Sequence, residues 1–158
     1  MSTVKEAIDV HVSLRKAYDQ WTQFEEFPNF MEGVDEVTQL DDRHNHWITS
    51  IGGVRREFDT EIVDQFPDDR ITWRSVDGET RQRGSVRFEP LDDMHTRVEL
   101  TMDVEPTGLA EKGADALGLI DRRVKGDLRR FKDYVESGGA DSDGWRGRIR
   151  PENPGSVL

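Results

Sequence analysis

Between residues 34 and 105 apolar and polar side chains alternate almost without a break, and each interruption is a short polar or glycine-rich stretch. Period-two alternation sends successive side chains to opposite faces of an extended chain, so this half of the sequence is built for half-buried strands. The interruptions are DDRHN after residue 40, the Gly52–Gly53 pair, PDDR, DGETR and DDMH. None is long enough for a crossover, so the six strands predicted over 34–40, 46–51, 54–66, 71–76, 83–91 and 96–105 must run antiparallel. Gly52–Gly53 suits a tight hairpin turn that needs positive φ.

The flanks are of two kinds. Ile8, Val10 and Val12 alternate with Asp9 and His11, which predicts a first strand over 4–12. Ser13 can cap a helix whose Ala17, Tyr18, Trp21 and Phe24 recur at helical spacing. Pro28, inside FEEFPNFM, marks a break or the first turn of a second short helix, which Gly33 ends. Beyond Pro106 and Gly108, the stretch 109–136 contains no proline. Leu109, Gly113, Leu117, Ile120, Val124, Leu128, Phe131 and Val135 form one apolar stripe along it, which predicts a long amphipathic helix closed by Gly138 and Gly139. The expected organisation is one domain over 1–137 and a Gly-, Pro- and charge-rich tail over 138–158, extended or loosely docked, with Trp145 as its anchor.

Composition narrows the partners. The chain has 158 residues, no cysteine, and 33 acidic against 22 basic side chains, a net charge of −11. Disulfides, thiolate chemistry and cysteine-based zinc sites are excluded, and the negative field disfavours nucleic acid and anionic membranes. The excess of Asp over Glu and Arg over Lys fits either a GC-rich genome or a high-salt cytoplasm. No apolar run approaches the roughly 20 residues that span a bilayer, and the N-terminus lacks the basic and apolar regions of a secretory signal. The expectation is a cytoplasmic protein, with monomer and dimer both open.

The order strand, two short helices, six antiparallel strands, long helix resembles the START-like, helix-grip superfamily, also called SRPBCC or birch-pollen-allergen-like. The likeness covers about residues 3–137 and rests on AYDQWTQFEEFPNFMEGV, ITSIGGVRREFDTEIVDQFPDDRITWRS and DVEPTGLAEKGADALG. Trp21, Phe27, Pro28 and Phe30 in the first phrase are similar to the bacterial polyketide cyclase/dehydrase and coenzyme Q-binding branch. The resemblance implies an α+β helix-grip fold, a curved antiparallel sheet of about seven strands with the long helix packed across a cavity. It further implies a small hydrophobic ligand there: a lipid, quinone, sterol or polyketide. It implies no catalytic residue and no cofactor, because the superfamily shares no catalytic motif.

Strand parity indicates which residues line such a cavity. With Phe58 and Ile62 pointing inward, Val54, Arg56 and Thr60 do so as well. Trp47, Thr49 and Ile51 share a face, as do Ile71, Trp73 and Ser75. The expected lining is Phe27, Phe30, Trp47, Arg56, Phe58, Thr60, Trp73 and Ser75, with Val86 and Leu100 from later strands and Leu117, Ile120 and Val124 from the helix. Arg56 is the polar landmark. It either grips a ligand carboxylate, phosphate or oxyanion, or tiles a solvated rim with Arg55 and Glu57.

Other motifs read more simply. His44 and His46 share a strand face but have no evident third ligand, so no metal is expected. His11 and His95 lack a positioned partner. Gly113, Gly118 and Gly126 in the long helix suggest close approach to the sheet, or room for a ligand. RRVKGDLRR resembles a phosphate-binding patch, yet Asp121, Asp127 and Asp133 interleave with it as on a solvated face. The leading expectation is a carrier of a hydrophobic ligand. The alternatives are a polyketide cyclase or dehydrase, in which Arg56 with Thr60 or Ser75 polarises a carbonyl, and a regulatory module that docks through Trp145.

Overall fold

A computed structural model describes residues 2–51, 53–78, 81–104, 113–139 and 144–151. Its elements are β1 (Ser2–Val10), α1 (Leu14–Trp21), a 3₁₀ helix (Phe24–Asn29), β2 (Val34–Gln39), β3 (His44–Ile51), β4 (Val54–Phe66), β5 (Arg70–Gly78), β6 (Gln82–Asp92), β7 (His95–Val104) and α2 (Gly113–Glu136). The strands form one antiparallel sheet in the order β1-β7-β6-β5-β4-β3-β2. Strands β2 to β7 are a meander of neighbours, and β1 closes the far edge against β7, with Ile8 opposite Val98. This is the helix-grip α+β architecture, and α2 lies on the inner face of the sheet beside β1.

The local signals act where the sequence places them. Ser13 Oγ accepts a hydrogen bond from the Lys16 backbone N–H at 3.3 Å, capping α1. Pro28 lies inside the 3₁₀ helix. Ile51 faces Val54 across the β3–β4 hairpin, and Gly53 there takes φ +82°. Gly138 at φ +110° and Gly139 at φ +59° end α2, and the Gly139 N–H returns to the Tyr134 carbonyl at 2.9 Å.

The core is concentrated at one end of the grip. Trp21 packs edge-on against Phe27, Phe88 and Phe131, with centroids 5.0 to 6.3 Å apart. Val124, Leu128, Phe131 and Val135 bring the buried stripe of α2 down onto this cluster. Tyr18 is fully buried, and burial pushes its phenol up to about 12, while its hydroxyl accepts a hydrogen bond from Gln65 Nε2 at 3.1 Å.

Four expectations are corrected. The first strand is Ser2–Val10 rather than 4–12: beyond Val10 the chain turns toward α1, and Val12 is held instead by its carbonyl, which accepts the Thr96 hydroxyl at 3.0 Å. DDRHN is not wholly a turn, because β3 begins at His44 and pairs with Glu61. The helical glycines do not mark close packing: a Cβ on Gly118 would meet nothing within 4 Å, and one on Gly126 would meet only the Arg130 guanidinium. Gly113 carries no such description, and Leu109 lies outside the described residues.

The tail is the fourth case. Ile149, 3 % exposed, pairs with Gln65 on β4 through both backbone hydrogen bonds, at 2.8 and 2.9 Å. Arg146 bonds Asp19 and Asp68 and places its guanidinium 5.4 Å from the Tyr18 ring centre. Trp145, expected to be the anchor, is 38 % exposed. Two acceptors and an aromatic face hold Arg146 more firmly than one rim indole holds the surface.

Candidate ligand-binding cavity

Cross-strand register settles which side chains face α2. Trp47 lies opposite Phe58, Asn45 opposite Thr60 and Thr49 opposite Arg56. Thr60 lies opposite Ser75 and Ile62 opposite Trp73, Ile71 opposite Val86, and Val86 opposite Leu100. The sequence-derived strand residues therefore lie on a single face, the inner one.

Their accessibility divides them. Phe27, Phe30, Phe58, Val86, Leu100 and Val124 are buried. Phe30 is enclosed by Trp21, Phe27, Phe131 and Tyr134 and belongs to the aromatic cluster. Trp47, Arg56, Trp73, Ser75 and Ile120 face the same way but are only half-buried, and so are Ile8 and Met102 beside them. These half-buried side chains are the part of the inner face that the protein's own packing does not cover completely. Leu117 is on α2, but its side chain lies outside the described residues.

Two tryptophans shape this space differently. Trp47 stacks parallel on Phe58 with centroids 6.0 Å apart, meets Phe27 on another side at 5.6 Å, and donates its indole N–H to Thr60 Oγ1 at 2.8 Å. It is a braced wall. Trp73 lies across Gly84: a Cβ there would come within 2.6 Å of the Trp73 ring. One ring face thus covers bare backbone, and the rest of the side chain is half-exposed.

The polar groups are few. Thr60 Oγ1 accepts from Trp47 and Ser75 Oγ accepts from the Gln82 N–H at 3.0 Å, which leaves each hydroxyl its O–H to donate. Asn45, opposite Thr60, is 3 % exposed, and its Oδ1 has no hydrogen-bond partner among the described residues. The sequence reading missed Asn45 by assigning it to the turn, although extending the Trp47 parity by two residues reaches it. Arg56 sits two register steps from the hairpin end, and no described residue accepts a hydrogen bond from its guanidinium. Among the described residues no group of three His, Cys, Asp or Glu could hold a metal. His44 and His46 lie on the outer face instead. His46 reaches Asp59 at 2.5 Å and Glu57 at 3.2 Å, and His44 reaches Asp41 at 2.9 Å and Glu61 at 3.3 Å.

Residues 10–133 match the family model described as polyketide cyclase / dehydrase and lipid transport. The chain belongs to that family. An uncharacterized 17.2 kDa protein of Streptomyces lincolnensis, from the melC2-rnhH intergenic region, is 50 % identical over 149 residues, 94 % of this chain and 99 % of that one. Among solved structures, the Zhui aromatase/cyclase from Streptomyces sp. R1128 superposes with TM-score 0.73 at 14 % identity, over 88 % of this chain and 99 % of its own. A START superfamily protein from Mycobacterium smegmatis gives TM-score 0.62 at 17 % identity, over 81 % and 97 %. At such identities these two likenesses speak for the fold. The family description joins polyketide cyclases and dehydrases with lipid transport and does not separate the two for this chain. No helix among the described residues is long and apolar enough to cross a membrane.

Proposed function

We propose that this protein binds a small hydrophobic molecule between the inner face of the sheet and α2, with a carboxylate or polarised carbonyl of the ligand turned toward Arg56. The observation that carries this reading is the set of half-buried Trp47, Trp73, Met102 and Ile120 on the inner face, beside a guanidinium without a described partner. Asn45 and Thr60 supply a second polar point further from the hairpin. An apolar enclosure with a few convergent polar groups orients a ligand as well as holding it.

Titration of the delipidated protein with a fatty acid and with its methyl ester, followed by tryptophan fluorescence, tests the proposal. Saturable quenching is expected for both, with the acid bound more tightly, and Arg56→Ala should lower the acid to the affinity of the ester. Failure of every fatty acid, quinone and aromatic polyketide to quench would refute it. The cyclase reading draws on the free Thr60 and Ser75 O–H donors on the same face as Arg56. It requires that a poly-β-ketone thioester be converted to a cyclised product, and that Arg56→Ala remove the conversion without removing binding.

A further inference from the structure

The run RRVKGDLRR borders a cleft of its own on α2. On the flank of α2 away from its buried stripe, Leu119, Arg122, Arg123, Gly126 and Arg130 form a cleft with Glu32 of the turn before β2, with a volume of about 280 Å³.

The charges in this cleft are not balanced. Arg130 is spoken for: its guanidinium holds Asp127 at 2.5 Å, the Phe30 carbonyl at 2.9 Å and the Glu32 carboxylate at 3.5 Å. Asp127 also accepts the Glu32 N–H at 3.1 Å, so both nearby acids lean on Arg130. Arg123 gives Nη1 to the Glu32 carbonyl at 3.0 Å, and its Nε is buried without an acceptor among the described residues. Arg122 uses only Nε, toward the Gly118 carbonyl of its own helix at 3.3 Å. Among the described residues no carboxylate pairs with Arg122 or Arg123. The acids that interleave in sequence face elsewhere: Asp121 pairs with Lys125 at 3.2 Å, and Asp133 lies eleven residues beyond Arg122, about 16 Å along the axis.

Two guanidinium groups without a direct carboxylate partner among the described residues, one of them with its charge also felt by Asp127, border one cleft on a chain of net charge −11, and an anion that offers oxygens in more than one plane matches them. A carboxylate satisfies one planar fork, whereas the three terminal oxygens of a phosphomonoester can meet two. We infer that the cleft between α2 and the turn before β2 binds a phosphate group through Arg122 and Arg123. This site is independent of the ligand position proposed above, which would lie on the buried side of the helix.

The test is a titration of the full chain with inorganic phosphate against chloride at matched ionic strength, read on the arginine Nε–Hε NMR signals. Saturable shifts at Arg122 and Arg123 are expected, with a Kd on the order of 1 mM. Arg122→Gln should weaken binding about tenfold or more while leaving the melting temperature unchanged, since Arg122 bonds only within its own helix. Arg56→Ala should bind phosphate as the wild type does, so this outcome separates the site from the cavity reading. Co-sedimentation with vesicles containing phosphatidic acid, absent for phosphatidylcholine alone and lost in Arg122→Gln, would place the phosphate on a lipid. Saturation by inorganic phosphate without co-sedimentation would place it on a soluble molecule. Shifts that stay linear and equal those in chloride, together with no vesicle binding, overturn the inference, as does an Arg122→Gln variant that binds phosphate normally.

Discussion

One substitution, glycine to alanine, should change sign with its place in this structure. Gly84 lies on β6 between Trp73 and Met102. An added Cβ would lie 2.6 Å from Trp73 Cζ2 and 2.9 Å from the Thr101 carbonyl oxygen. Ordinary carbon contacts begin near 3.5 Å, so the ring must move by roughly 1 Å, and the carbonyl belongs to a neighbouring strand that cannot yield cheaply. Overpacking of this kind costs about 1–3 kcal/mol, and the stiffer unfolded chain returns about 0.4–1 kcal/mol. Gly84→Ala should therefore be destabilised by about 1.5 kcal/mol, a fall of about 3–6 °C in Tm for a chain of this size. Gly118→Ala, where an added Cβ meets nothing within 4 Å, should gain about 0.5–1 kcal/mol and melt higher. Calorimetry on the two variants, with Trp73→Leu and Trp73→Leu/Gly84→Ala completing a double-mutant cycle, checks the reasoning. The part of the Gly84→Ala penalty that comes from the ring should vanish once the indole is gone, while the part that comes from the Thr101 carbonyl should remain. A Gly84→Ala protein as stable as Gly118→Ala would refute the placement of Trp73 over Gly84.

Two further predictions concern pH. The carboxylates Asp41 and Asp59 beside His44 and His46 hold both imidazoles above the ordinary 6.5. A raised folded value contributes stability that is fully present below pH 6.5 and is lost as pH rises through the folded value. His44→Gln/His46→Gln should accordingly lose more melting temperature than wild type in mildly acidic buffer and converge with it at alkaline pH; a constant offset across the range would refute this. Asp127 goes the other way for an acid: burial raises its carboxyl from 3.8 to about 6. The folded state then binds the extra proton, so this group lowers stability as pH rises from about 4 to about 6. Asp127→Asn should flatten the Tm profile across that window, and an unchanged slope would count against a buried carboxylate there.

The architecture was legible because each strand carries its own alternation and each turn its own polar break, so the order of elements could be read locally. The errors share a physical origin. Asn45 went to the turn because a polar residue on a strand's inner face looks like loop until its neighbour across the sheet, Thr60, is known. Gly118 and Gly126 suggested tight packing because a glycine in a helix normally needs a reason, and neither has one in its contacts. Arg56 lies opposite Thr49 by register, but its depth depends on the curvature of the whole sheet, which no local pattern carries. The Arg122–Arg123 cleft was hidden for the opposite reason. Its run of alternating charge looks self-neutralising in one dimension, and only the fold commits Asp121 to Lys125 and Asp127 to Arg130 rather than to direct pairs with the two arginines.

The pairing of Ile149 with Gln65 bears on how the molecule behaves in a crowd. β3 matches β4 only as far as Glu61, so the last residues of β4 would otherwise present backbone donors and acceptors to solvent beside a buried apolar face. Such a strip invites strand addition by another chain. With Ile149 in place the molecule supplies its own partner there, and a chain cut before Arg146 would leave this strip as a template for self-association, detectable as concentration-dependent oligomers.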